Sequence, residues 1–157
     1  MKTLGLDMGS KRIGLAISDE DGVFAFPSGK LDRVGRKQDL ATLVHLIAER
    51  GISRAVIGVP LHMNGRPGKG AEAARSFARD LAETSGIAVD TLDERLTTVE
   101  AERALNSVGR RGKRQKDVID SVAAAIILNT YLELQRNRKA SDAETDVSAK
   151  DREGHNS

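Results

Sequence analysis

The chain contains no cysteine and no tryptophan, and only one tyrosine, three phenylalanines and three histidines in 157 residues. Lack of cysteine excludes disulfides and thiolate metal centres, and His45, His62 and His155 are too widely spaced to suggest an imidazole-built one. Any metal would be held by carboxylates. The scarcity of aromatics leaves little for stacking unpaired bases, which argues against a module that reads single-stranded sequence. No apolar run approaches the roughly 20 residues that span a bilayer, and the chain opens directly on the strand-like "KTLGLD", without a basic leader. A cytoplasmic protein without a membrane partner is expected.

Charge is present in both signs, 25 basic against 23 acidic residues, and it is unevenly distributed. Residues 139–157, "KASDAETDVSAKDREGHNS", contain five acids, three bases, one valine and no aromatic. Such a composition cannot offset the entropy of ordering by burial, so a disordered tail is expected there. The remaining 138 residues hold 22 bases and 18 acids, and the basic excess therefore belongs to the folded part. A length of this order suits a single domain, 1–138, with one core.

Residues Leu4 to Met8 and Ile13 to Ser18 read as two strands of a hairpin, with Ile13, Leu15 and Ile17 on one face. A third strand is expected over Val23 to Pro27. In "RKQDLATLVHLIAER" the apolar positions Leu40, Leu43, Val44 and Ile47 have helical spacing, and Gly51 is placed to end the helix. "SRAVIGVP" reads as a strand buried on both faces, followed by a helix from about Ala71 to Thr84 and a strand in "IAVDTLDE". Thr97 and Glu100 form a capping-box pattern that opens another helix. A last helix is expected from about Asp117 to Asn137, apolar around most of its circumference between Val118 and Leu128. The order βββαβαβαα indicates an α/β domain, a mixed sheet with helices on both faces. Phe24, Phe26 and Phe77 are expected in the core, and Tyr131 in packing on the last helix.

Three acids occupy costly positions. Asp7 ends the first strand, Glu94 ends the last strand beside Asp93, and Asp120 lies near the start of a largely apolar helix, where an unpaired carboxylate is expensive. Ala123, Ala124 and Ala125 would let that helix approach the sheet closely. Three converging carboxylates raise one another's pKa unless a cation such as Mg²⁺ neutralises them. Each acid also has an ordinary reading: Asp7 as a turn former, Glu94 paired with Arg95, Asp120 paired with Lys116.

Two loops could meet phosphate. "GSKRIG" joins the first two strands, and "GVPLHMNGRPGKG" places Arg66 and Lys69 ahead of a helix N-terminus, although neither loop is a Walker A motif. The densest basic run, "GRRGKRQK", supplies Arg110, Arg111, Lys113, Arg114 and Lys116 just before Asp120. A basic loop is usually just solvated, but one adjoining the acids could grip a nucleic-acid backbone, with salt-sensitive affinity.

"GLDMGSKRIGLAISD", "VIGVPLHMNGRPG", "LDERLTTVEAE" and "KDVIDSVAAAIILNTYL", in that order between about Thr3 and Leu134, resemble the four blocks of the YqgF (RuvX) family of RNase H-like proteins, described as Holliday junction resolvase-like or pre-16S ribosomal RNA nucleases. The resemblance implies an RNase H-like fold, a five-stranded mixed sheet with only the second strand antiparallel. It also implies Asp7, Glu94 (the acid of the "DER" block, chosen over Asp93) and Asp120 as catalytic and metal-binding residues; Asp93 and Glu94 alternate across the strand, so only one of them should face the site. The implied chemistry is phosphodiester hydrolysis with Mg²⁺ or Mn²⁺, two ions about 3.5 to 4 Å apart, leaving 5′-phosphate and 3′-hydroxyl ends. Lys11, Arg12 and Arg95 become candidate substrate contacts beside the basic run. The implied substrate is the 5′ end of pre-16S ribosomal RNA, cut by endo- or exonuclease action, with ribosome assembly particles as partners. A Holliday junction resolvase, which would favour a homodimer over a monomer, and a non-catalytic rRNA-binding assembly factor are the alternatives. Phosphotransfer of the actin and sugar-kinase kind would need a second domain that this chain does not supply.

Overall fold

The structure is a computed structural model; it describes the backbone of residues 1–61, 68–97 and 114–155, and the side chains of 1–61, 68–97 and 119–141. Five strands, β1 (Lys2–Met8), β2 (Arg12–Ser18), β3 (Ala25–Asp32), β4 (Ile52–Val59) and β5 (Ala88–Asp93), form one sheet in the order β3-β2-β1-β4-β5. β2 runs antiparallel to both neighbours, while β1, β4 and β5 are parallel. Helices α1 (Arg36–Arg50) and α2 (Lys69–Ser85) cover one face, α3 (Arg114–His155) covers the other, and a 3-10 turn follows β5 at Glu94–Thr97. This is the expected mixed α/β architecture with a single antiparallel second strand.

Alternation along the strands decides which face each residue serves. Leu4, Leu6, Ile13, Leu15, Ala55 and Ile57 point to α1 and α2 and bury against Leu40, Leu43, Ile47, Phe77 and Leu81. Phe77 is 1% exposed, so its truncation to alanine would cost about 3–5 kcal/mol. The opposite face is built from smaller residues, Ala16, Val56 and Leu92, against Ala124, Ala125, Ile127, Leu128, Tyr131 and Leu132 of α3. Gly51 adopts a left-handed conformation at φ 65° and its N–H caps α1, as its place in the sequence predicts. Near the lower end of the sheet the Tyr131 hydroxyl donates to Asp90 and accepts from Arg54.

Several expectations are corrected. β3 starts at Ala25 and continues past Pro27 to Asp32; an edge strand tolerates proline because one side of its ladder is unpaired. Phe24 and Phe26 are therefore not core: at 62% and 56% exposed they lie on this uncovered edge. α3 starts at Arg114, which puts Asp120 in its second turn, and its burial is one-sided, with Val122, Ala123 and Ile126 half-buried and Asn129 exposed. The helix bounds run on to His155. Lys139, Ala140 and Ser141, the last residues of α3 whose side chains are described, are exposed. Thr97 closes the 3-10 turn, and its capping-box partner Glu100 lies outside the described residues. Among the described residues no helix is long and apolar enough to cross a membrane.

Candidate active site

The site forms where the sheet's α3 face is lined with glycine. Asp7 pairs across the antiparallel ladder with Gly14 of β2. On the parallel side, Leu6 pairs with Ile57, so the next step along both strands sets Asp7 beside Gly58. These two glycines leave space that other chain segments fill. A methyl group on Gly14 would lie 2.0 Å from the Asp120 carbonyl oxygen, and one on Gly58 would lie 2.6 Å from Glu94 Oε1 and 2.6 Å from Ile127 Cδ1. Gly5, one pleat back from Asp7, receives Ala124 and Leu128 in the same way. Strand glycines thus let α3 and the turn after β5 approach β1 closely enough to bring three acids to one end of the sheet.

The carboxyls of Asp7 and Glu94 are hydrogen-bonded. Burial pushes the Asp7 pKa up to about 6, the negative charge of Asp120 adds to the rise, and the hydrogen bond from Glu94 acts in the opposite direction. Glu94 is pushed up to about 7, first by burial, then by the charge of Asp7, by its hydrogen bond to Asp7 and by the charge of Asp93. These directions describe two coupled carboxyls that hold a proton between them more readily than either would alone. Thr97, itself buried, donates its hydroxyl to the Glu94 carbonyl oxygen at 2.7 Å and fixes the turn that aims this side chain.

Asp120 faces a different partner. Its Oδ2 accepts from Arg12 Nε at 3.1 Å, an ion pair across the open side of the site. Consequently Asp7 and Glu94 meet while Asp120 turns toward Arg12, and among the described residues no three acidic or imidazole groups are arranged as a metal cage. The ordinary reading of Asp120 as a partner of Lys116 concerns a side chain outside the described residues.

Arg95 is held by its neighbour. Its Nε and Nη2 contact both oxygens of Asp93 at 2.6–3.1 Å, and hydrogen bonding from Arg95 holds the Asp93 pKa below the usual carboxylate range. That pairing replaces the expected Arg95–Glu94 contact, and it distinguishes the adjacent acids: Asp93 is engaged by Arg95, whereas Glu94 meets Asp7. Lys11 is exposed at the hairpin tip, where the Gly9 N–H donates to the Arg12 carbonyl at 2.8 Å. Arg110, Arg111 and Lys113 lie outside the described residues, as do His62 and Arg66. Arg114 and Lys116 lie on the first turn of α3, with side chains outside the described set. Sequence reasoning missed Gly14, Gly58 and the orienting role of Thr97; glycine inside a buried strand was the available signal for the first two.

A family profile described as "RuvX: Holliday junction resolvase" matches residues 1–134. The chain is 43% identical over 136 residues to the "Putative pre-16S rRNA nuclease" of Myxococcus xanthus (strain DK1622), covering 87% of this chain and 90% of the relative. It is 42% identical over 134 residues to the protein of the same name from Chloroflexus aurantiacus (strain ATCC 29366 / DSM 635 / J-10-fl), covering 85% and 88%. Among solved structures it is similar to T. thermophilus RuvC in complex with Holliday junction substrate, with a TM-score of 0.57 and 14% identity over 86% of this chain and 96% of that one. At that identity the likeness is one of fold.

Proposed function

Because the chain belongs to the RuvX family, we propose that it is a metal-dependent nuclease that hydrolyses phosphodiester bonds, acting on the 5′ end of precursor 16S ribosomal RNA. The observation that carries the reading is the contact between Asp7 and Glu94 beside Asp120, assembled on the glycine cradle of β2 and β4. Mg²⁺ and Mn²⁺ favour hard oxygen donors, so the chemistry of these side chains suits them, and Asp7, Glu94 and Asp120 are the residues that would hold them once Asp120 leaves Arg12. When bound, such ions supply Lewis acidity at the scissile phosphate and lower the pKa of an attacking water.

The remaining steps belong to the chain. Glu94 must give up the proton it shares with Asp7 before both carboxylates can act as ligands, which favours reaction above the pKa values of the pair. Arg12 sits opposite Asp120 and Lys11 projects from the same hairpin; both are placed to neutralise phosphate oxygens on the open side. In sequence, Arg114, Lys116 and the basic run preceding them come just ahead of Asp120 and add positive charge that could hold the backbone of a long substrate. The unit responsible is residues 1–138. RNA is preferred as substrate because the curated relatives carry that name; junction DNA, named in the family description, is the second reading.

The test compares Mn²⁺-dependent cleavage of precursor 16S RNA, a four-way DNA junction and plain duplex by one preparation, with Asp7→Asn as control. Cleavage of the precursor RNA that Asp7→Asn abolishes, with folding and RNA binding retained, is expected. Equal cutting by the variant, or no cutting by the wild type, would sink the mechanism.

A further inference from the structure

Arg33 lies just beyond β3, outside the four sequence blocks, yet its directed contacts reach three separate segments of the chain. Its Nη1 donates to the Gly9 carbonyl at 3.0 Å, and its backbone N–H donates to the Lys11 carbonyl at 2.9 Å. Both acceptors are in the hairpin tip that carries Lys11 and leads into Arg12. On its other side Arg33 Nε reaches Asp39 Oδ2 at 3.4 Å, and Asp39, in the first turn of α1, is 1% exposed. The second oxygen of Asp39 accepts from the Val34 N–H at 3.1 Å, and the guanidinium carbon stands 5.9 Å from the centroid of the buried Phe77 ring. A carboxylate, an aromatic face and a carbonyl thus fix three sides of one planar group.

We propose that Arg33 is a positioning residue that clamps the Gly9–Arg12 hairpin to α1, so that Lys11 and Arg12 face a substrate phosphate in one fixed geometry. The hairpin is then held from both faces of the sheet, by Arg33 from the α1 side and by the Arg12–Asp120 pair from the α3 side. This inference rests on the reading of the hairpin as part of a nucleic-acid site. Only a guanidinium supplies Nε to Asp39 and Nη1 to Gly9 together; lysine, a point charge on a flexible stem, would satisfy the buried Asp39 but not both.

The test uses the full chain with a precursor 16S RNA fragment in Ca²⁺, with affinity measured across a salt series. In the wild-type background, Lys11→Ala should lower the slope of log K against log salt by about 1, the signature of one lost phosphate contact. In an Arg33→Lys background, which keeps the charge beside Asp39, the slope is already reduced and Lys11→Ala should change it little further. If Arg33→Lys does not fold, Arg33→Met combined with Asp39→Asn removes the buried charge and its partner together and should give the same loss of coupling. Equal effects of Lys11→Ala in both backgrounds would overturn the proposal, as would no effect in the wild type. Coupled slopes in a protein that never cleaves would overturn the nuclease reading and leave the clamp standing; cleavage with uncoupled slopes would do the reverse.

Discussion

Glu94 rests on Gly58: the space of the glycine's missing side chain is occupied by the Glu94 carboxyl oxygen Oε1 and methylene Cγ, 2.6 and 3.0 Å from where a methyl group would be. Gly58→Ala would therefore act on the acid before it acts on the fold, because the atoms in conflict are the mobile ends of Glu94 and Ile127. We expect a stability loss of about 1–2 kcal/mol, a few degrees in Tm, against a fall in cleavage rate of at least about 100-fold. Thermal unfolding and single-turnover cleavage on the same preparation check it; proportionate losses in both would contradict the assignment.

Gly14→Ala presents the opposite case. The atom in conflict is the Asp120 carbonyl oxygen, 2.0 Å away, and a helix backbone cannot rotate aside as a side chain does. The whole of α3 must lift from the sheet, at the upper end of overpacking costs, about 3 kcal/mol or more. The Tm of Gly14→Ala should lie clearly below that of Gly58→Ala, and a ranking in the other direction would show that α3 docks differently.

The shared proton predicts a pH dependence of an unusual sign for carboxylates. Asp7 and Glu94 are raised to about 6 and about 7, above their unfolded values, so between roughly pH 4 and 7 the folded state binds more protons than the unfolded one. Stability of the chelated protein should accordingly fall as pH rises through that window and level off above it. Saturating Mg²⁺ should remove the decline, because the ionised pair then has a counter-ion. Tm measured in EDTA from pH 5 to 8 checks this, and Asp7→Asn or Glu94→Gln should flatten the profile. A wild-type profile already flat in EDTA would count against the shared proton.

That Asp7 and Glu94 lie at the ends of strands and Asp120 early in a helix was legible in the sequence, because strand and helix periodicity located each one. Period-2 alternation also separated the two faces of β1 and β2. Partner choice was less legible. Nothing in "LDERL" says that Arg95 takes Asp93 and leaves Glu94 to Asp7, since that depends on the 3-10 turn held by Thr97. Nor could local pattern show that Phe24 and Phe26 stay exposed, since an edge strand and a covered one share the same alternation. That Gly14 and Gly58 each make room for an acid from a distant segment is a tertiary fact. Arg33 was not legible for the same reason: its acceptors are two hairpin carbonyls and a carboxylate from the following helix, brought together only by the fold.

The ion pair between Arg12 and Asp120 joins residues 108 positions apart, one from the second strand and the other from the last helix. Such a site cannot exist in an unfinished chain. While the ribosome is still making this protein, Asp7 emerges early and stays without its companions until α3 has been synthesised and has docked on Gly5 and Gly14. Assembly of the three acids therefore waits on the docking of α3, and a truncated product that has lost α3 would carry Asp7 without Asp120.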